Sequence, residues 1–160
     1  MSDRVITPKP KGLNADEVKF ALHKMFSADH GWLAIEELFI PGFDRYIDLW
    51  AMRVDTVGKA AARHQEIYMS VHAIEVKVSR ADFNAEMKTP AKRLAALHFS
   101  NYFSFATPRR LIELEELPAG IGLIEFSGSK GKWIRQPVRT TLEPIRWDLV
   151  AAIGRAILKG

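Results

Sequence analysis

With 160 residues, 48% of them hydrophobic and 26% charged, the chain has the composition of one folded domain long enough to bury a core. It has no cysteine, which excludes a disulfide framework and any thiolate metal site, and no apolar run approaches the length of a membrane span. The net charge of +4 permits a polyanionic partner without demanding one, and the start Met1-Ser2-Asp3-Arg4 opens no signal-type apolar segment, so the chain reads as cytoplasmic.

Residues 1–12, with Pro8 and Pro10, read as a flexible leader to a single domain over 13–160. Asn14 is placed to cap a helix over 15–27, with Asp16 and Glu17 in its first turn and Val18, Leu22, Met25 and Phe26 as its apolar stripe. A strand is expected over 32–40, a turn at Pro41-Gly42, and a second strand over 45–53. In that second strand Ile47, Leu49 and Ala51 alternate with Tyr46, Asp48, Trp50 and Met52. The polar stretch 54–66, with Gly58, reads as an excursion longer than a hairpin loop.

A third strand follows over about 67–78. Between Val71 and Ser79 its residues alternate: His72, Ile74, Val76 and Val78 project one way, and Ala73, Glu75, Lys77 and Ser79 the other. It runs into a helix start in which Ser79 and Asp82 resemble a capping box. The helix should cover about 80–88, be interrupted at Thr89-Pro90, and resume over 91–98. The aromatic run 101–106 reads as a strand, and 122–126 and 132–135 as a hairpin around the turn 127–131. A last helix is expected over 143–158, with Ile145, Leu149, Val150, Ile153 and Ile157 on its core side.

The chemistry concentrates where the third strand meets its helix. Glu75 and Lys77 are two residues apart on one strand face, near the strand's C-terminal end, where open α/β sheets build their sites. A carboxylate there can hold a hard cation such as Mg²⁺, and a lysine can orient the attacking water and offset charge on a phosphate. A second acid is needed from a neighbouring strand, and Asp48 is the obvious candidate. Glu-x-Lys alone is also what an exposed strand face with a surface ion pair would carry.

The pattern Asp48…Glu75-x-Lys77 resembles the PD-(D/E)xK nuclease superfamily. The run Ile74-Glu75-Val76-Lys77-Val78-Ser79-Arg80-Ala81-Asp82-Phe83 is similar to its MmcB-like DNA-repair branch. The likeness covers about 32–126 and includes Phe105-Ala106-Thr107-Pro108 and Leu117-Pro118 before Gly122-Leu123-Ile124. It departs in a longer connection between the second and third strands and in Asn101-Tyr102, where a Cys-Asp pair often stands. The resemblance implies a restriction-endonuclease-like α/β fold, a mixed β-sheet flanked by helices, and Mg²⁺-dependent hydrolysis of DNA, with Mn²⁺ as a substitute. It implies Asp48 and Glu75 as metal ligands, joined by the Val76 carbonyl, and Lys77 as the residue that activates water. An additional acid often assists such sites. Glu17 stands ahead of Glu37 for that role, and alternation does not choose between Glu36 and Glu37.

The basic residues Lys88, Lys92, Arg93, Arg109, Arg110, Lys130, Lys132, Arg135 and Arg139 all lie in the second half. Arg80, Lys88, Lys92, Arg109 and Arg110 are read as a DNA-contacting border to the pocket, against ordinary solvation as the alternative. His72 reads as a hydrogen-bonded packing residue. The five histidines lack metal-ligand spacing, and Gly128-Ser129-Lys130-Gly131-Lys132 lacks the spacing of an ATP phosphate loop. The rival reading is a non-catalytic nucleic-acid-binding or interaction module on the same fold.

Overall fold

The computed structural model describes residues 12–55 and 69–160; the expected leader and most of the 54–66 excursion lie outside the described residues. Helix α1 (Ala15–Met25) starts where its capping residues dictate: Asn14 Oδ1 accepts the Glu17 amide at 2.9 Å, and the Glu17 carboxylate accepts the Asn14 amide at 2.8 Å. Its stripe of Val18, Leu22 and Phe26 is buried, each side chain contributing about 1.5–3 kcal/mol on removal from water.

Six strands follow: β1 (Trp32–Ile40), β2 (Arg45–Arg53), β3 (Val71–Val76), β4 (Tyr102–Pro108), β5 (Gly122–Ser127) and β6 (Lys130–Arg135). They form one sheet in sequence order, antiparallel from β1 to β3, parallel from β3 through β5, and antiparallel again between β5 and β6. Two short helices, α2 (Arg80–Met87) and α3 (Ala91–Leu97), make the crossover from β3 to β4. The chain ends in α4 (Trp147–Lys159). Helix α1 packs on one sheet face with Leu49, Ala51, Ile74, Val76, Ala106, Ile124 and Phe126. The other face, with Trp50, Ala73, Phe103, Phe105 and Leu123, is covered by Phe83 of α2, Ala96 of α3, and Leu149 and Ala152 of α4. This is an α/β fold with a mixed sheet flanked by helices, as expected, and is consistent with a restriction-endonuclease-like architecture.

The parallel β3–β4 pair is seeded by Asn101, which is fully buried. Its side chain accepts the Val71 amide at 2.9 Å and donates to the Met69 carbonyl at 2.8 Å. Several boundaries differ from expectation. Strand β3 spans only Val71–Val76: its pairing with β2 ends at Leu49↔Ile74, and the Val76 amide is taken by the Asp48 carboxylate in place of β2 backbone. The β5–β6 turn is tighter than the expected 127–131, since Gly128 takes φ +60°, the left-handed conformation such a turn requires. Helix α4 starts at Trp147 rather than 143, where Asp148 accepts the Leu149 amide and pairs with Arg146. Its core stripe is Leu149, Ala152, Ile153 and Ala156. Ile145, Val150 and Ile157, expected inside, are 78%, 43% and 58% exposed. The small alanines let the helix lie close to the sheet, and its buried stripe is rotated toward them.

Candidate active site

Strict alternation fails at one place in each of the first two strands, and the two places face each other. In β1, Ile35, Leu38 and Ile40 all join the core beneath α2–α4, so the step between the first two is three residues rather than two. In β2, Ile47 and Trp50 lie on that same face while Leu49 and Ala51 lie under α1. The register runs Glu36↔Leu49 and resumes at Leu38↔Ile47, which leaves Glu37 opposite Asp48 at the break. Glu37 has φ +50°, a left-handed conformation costly for a residue with a Cβ. The result turns two consecutive β1 carboxylates to α1: Glu36 sits 3.1 Å from His23 Nδ1, and Glu37 sits 3.1 Å from Lys19 Nζ. It also turns Asp48 out of the sheet, so that its Oδ1 lies 3.6 Å from Lys19 Nζ and its Oδ2 accepts the Val76 amide at 2.8 Å.

Across the next seam Leu49 pairs with Ile74, so Asp48 and Glu75 are the next pair in register, on adjacent strands. Their carboxyl groups are near enough to interact, and Asp48 raises the Glu75 pKa. Lys77 follows directly, with Nζ 3.5 Å from Glu75 Oε2 and 3.4 Å from Glu86 Oε2. Glu86, 2% exposed, is in turn 3.4 Å from Lys92 Nζ. The side chains therefore form one chain of charges, Glu37–Lys19–Asp48–Glu75–Lys77–Glu86–Lys92. Signs alternate along it except at one contact, where the two carboxyls meet. The consequence is visible at Glu75: burial first, then the neighbouring Asp48 and Glu86 carboxylates, push its carboxyl up to about 8 against the opposing pull of Lys77. At Lys19, Glu37 and Asp48 overcome the effect of burial and raise the pKa.

The two proposed ligands and the lysine are thus brought together at the C-terminal end of β3. Glu17, expected as the additional acid, is exposed and occupied in capping α1, whereas Glu37 reaches the site through Lys19. Ser79 caps α2, its Oγ accepting the Asp82 amide at 3.1 Å. Arg80 does not pair with Asp82. Its guanidinium grips Glu116 at 2.7 and 2.5 Å and donates to the Leu111 carbonyl at 3.1 Å, tying the β4–β5 connection to α2. Lys92 borders the site through Glu86, and Lys88 is exposed at the end of α2. Arg109 and Arg110 lie elsewhere, in a cleft of about 420 Å³ shared with Lys130 and Lys132.

His72 is a packing residue. It stacks on Tyr102 at 4.6 Å and touches Phe26 and Trp32, its Nδ1 has no hydrogen-bond partner among the described residues, and burial lowers its pKa to about 4. Sequence reasoning missed Glu86 and Lys19. Glu86 had a local signal, since it sits three residues after Phe83 and therefore on the core face of α2. Lys19 had none, as its partners come from two distant strands.

Among the described residues no three His, Asp or Glu side chains gather closely enough to hold a metal by protein ligands alone. No described helix is long and apolar enough to cross a membrane. No protein-family model matches the chain, and no curated protein is significantly similar to it. A solved structure, the SPO1766 protein of unknown function from Silicibacter pomeroyi, is similar with a TM-score of 0.60 and 22% identity, over 91% of this chain and 82% of that one. At that identity the similarity establishes a shared fold alone.

Proposed function

We propose that this protein is a Mg²⁺-dependent DNA nuclease of the PD-(D/E)xK type, acting in repair or processing like the MmcB-like branch, in the cytoplasm. The observation that carries the reading is the like-charged pair: Asp48 and Glu75 stand next to one another in register on adjacent strands at the end of β3, with the Lys77 ammonium 3.5 Å from Glu75. Two acids forced together, one of them mostly buried, fit a cation that neutralises them. Mg²⁺ commonly takes one or two carboxylates and completes its shell with water, so the absence of a third acid is compatible with it. Asp48 and Glu75 would hold the ion, with the Val76 carbonyl as a further oxygen; Mn²⁺ could replace it. When bound, the ion would supply Lewis-acid polarisation of a phosphodiester.

The remaining work falls to the chain's own groups. Lys77, held between Glu75 and Glu86, orients the attacking water and offsets charge on the phosphate. The Val76 amide fixes one Asp48 oxygen, and Lys19 faces the other. Lys88, Lys92, Arg109 and Arg110 supply phosphate contacts.

The test is cleavage of single-stranded, duplex and branched DNA with Mg²⁺ or Mn²⁺. Lys77→Ala should abolish cutting while metal binding persists, because a charged lysine has no lone pair to donate. Asp48→Asn and Glu75→Gln should remove both. A wild type that binds DNA tightly yet cuts nothing on the panel would make the protein a non-catalytic binding module, a reading favoured by the extent to which Lys77 is already satisfied by Glu86. Full cleavage by the three variants would remove the site.

A further inference from the structure

We infer that the cleft formed by Arg109, Arg110, Lys130 and Lys132 is a second phosphate site for the same DNA strand, about three to four nucleotides from the Asp48–Glu75 centre. The inference rests on the proposed nuclease reading for its ligand, and on three observations for its place.

The first is register. The β3–β4 pairing runs Glu75↔Phe105 and Val76↔Ala106, which sets Lys77 beside Thr107. Thr107 pairs with Glu125 on β5, and Glu125 with Lys132 on β6. Lys77, Thr107, Glu125 and Lys132 therefore form one row across four strands. The second is facing. Ala73, Phe105 and Leu123 point to the face beneath α2–α4, and alternation puts Glu75, Thr107 and Glu125 on that face with Lys132. Glu75, Lys77 and the basic cleft thus share one face and one end of the sheet. Three strand spacings of about 4.8 Å separate them by about 14 Å, which is roughly four nucleotides at 3.4 Å of rise.

The third is charge. Around the Asp48–Glu75 centre the cations are paired: Lys19, Lys77 and Lys92 each face a carboxylate, and so does Arg80 nearby. In the cleft none of the four cationic side chains has an ion-pair partner among the described residues. Its one acid, Glu125, accepts the Arg110 amide at 3.1 Å, and Arg110 holds φ +60° to make that bond. Unneutralised cations around a concave surface attract a polyanion. Between cleft and centre, the fully buried Thr107 Oγ1 has no hydrogen-bond partner among the described residues.

The test is DNA binding in EDTA, where cleavage is silent, using a fluorescent duplex and single strands of increasing length. The variant Arg109→Gln/Lys130→Gln/Lys132→Gln is compared with Lys24→Gln/Arg155→Gln/Lys159→Gln, which removes equal charge from exposed positions on α1 and α4. The cleft variant should bind about tenfold or more weakly, and its log–log salt slope on duplex should fall by about 0.9 for each phosphate it no longer neutralises. The control should keep wild-type affinity and slope. Equal weakening in both variants, or none in the cleft variant, would overturn the site. Tighter binding of an RNA of equal length would overturn DNA as its ligand. Because binding is read without metal, a wild type that never cleaves sinks the nuclease reading and leaves the cleft result standing.

Discussion

Raising the pH from 6.5 to 8 without divalent cations should destabilise this protein, and Glu75 supplies the reason. Its folded carboxyl titrates at about 8 against an ordinary value of 4.5. Between those values the native state holds a proton that the unfolded chain has released, so this contribution is complete below 4.5 and is lost as pH rises through 8. His72 works in the opposite direction: folded, it titrates at about 4 rather than 6.5, so stability falls as pH drops through that range. The two slopes oppose one another below 6.5, and above it Glu75 acts without His72. From pH 6.5 to 8 the loss is about 2 kcal/mol, at about 1.36 kcal/mol per pH unit.

The assay is urea denaturation followed by tryptophan fluorescence, at several pH values across that window, in EDTA and in Mg²⁺. In EDTA the wild type should show the loss, and Glu75→Gln should be flat. Mg²⁺ should remove the slope, because a cation between Asp48 and Glu75 favours the ionised carboxylate and stabilises the native state by mass action. A flat wild-type profile in EDTA, or an unchanged slope in Glu75→Gln, would refute the idea that burial and the neighbouring carboxylates keep Glu75 protonated in the native state.

Glu86→Ala should cost roughly 3–5 kcal/mol in the same denaturation assay, because it strands Lys77 beside a buried void. Glu86→Gln should keep the fold and the Mg²⁺ affinity but lower kcat for DNA cleavage about tenfold, through loss of Lys77 alignment; unchanged kcat would show that Lys77 does not depend on it. Asn101→Ala should cost about 2–4 kcal/mol, since it leaves the Val71 amide and the Met69 carbonyl without their partner at the start of the β3–β4 pair; a wild-type melting curve would count against that role. Arg80→Gln should leave the salt slope of DNA binding unchanged, because the guanidinium is committed to Glu116 and Leu111; a slope lower by about one unit would restore Arg80 as a phosphate contact.

Local rules in the sequence determined much of this molecule. Asn14 and Glu17 set the start of α1, Ser79 set the start of α2, and Thr89-Pro90 forced the break before α3. Alternation from Val71 to Ser79 put Glu75 and Lys77 on one face, because a side-chain period of two is a property of the strand itself. Tertiary structure decided the rest. The same alternation, applied to β2, placed Ile47 with Leu49 and Ala51, and the paired irregularity at Glu37 and Asp48 overrode it, since that geometry is set between strands. Lys19 reaches Asp48 only because α1 lies across the sheet, and Arg80 turns to Glu116 only because the β4–β5 connection returns beside α2. The basic residues were legible as a list. Their division into cations neutralised around Glu86 and cations left open at the β5–β6 hairpin follows from which carboxylates the fold carries to each, and no spacing along the chain encodes that.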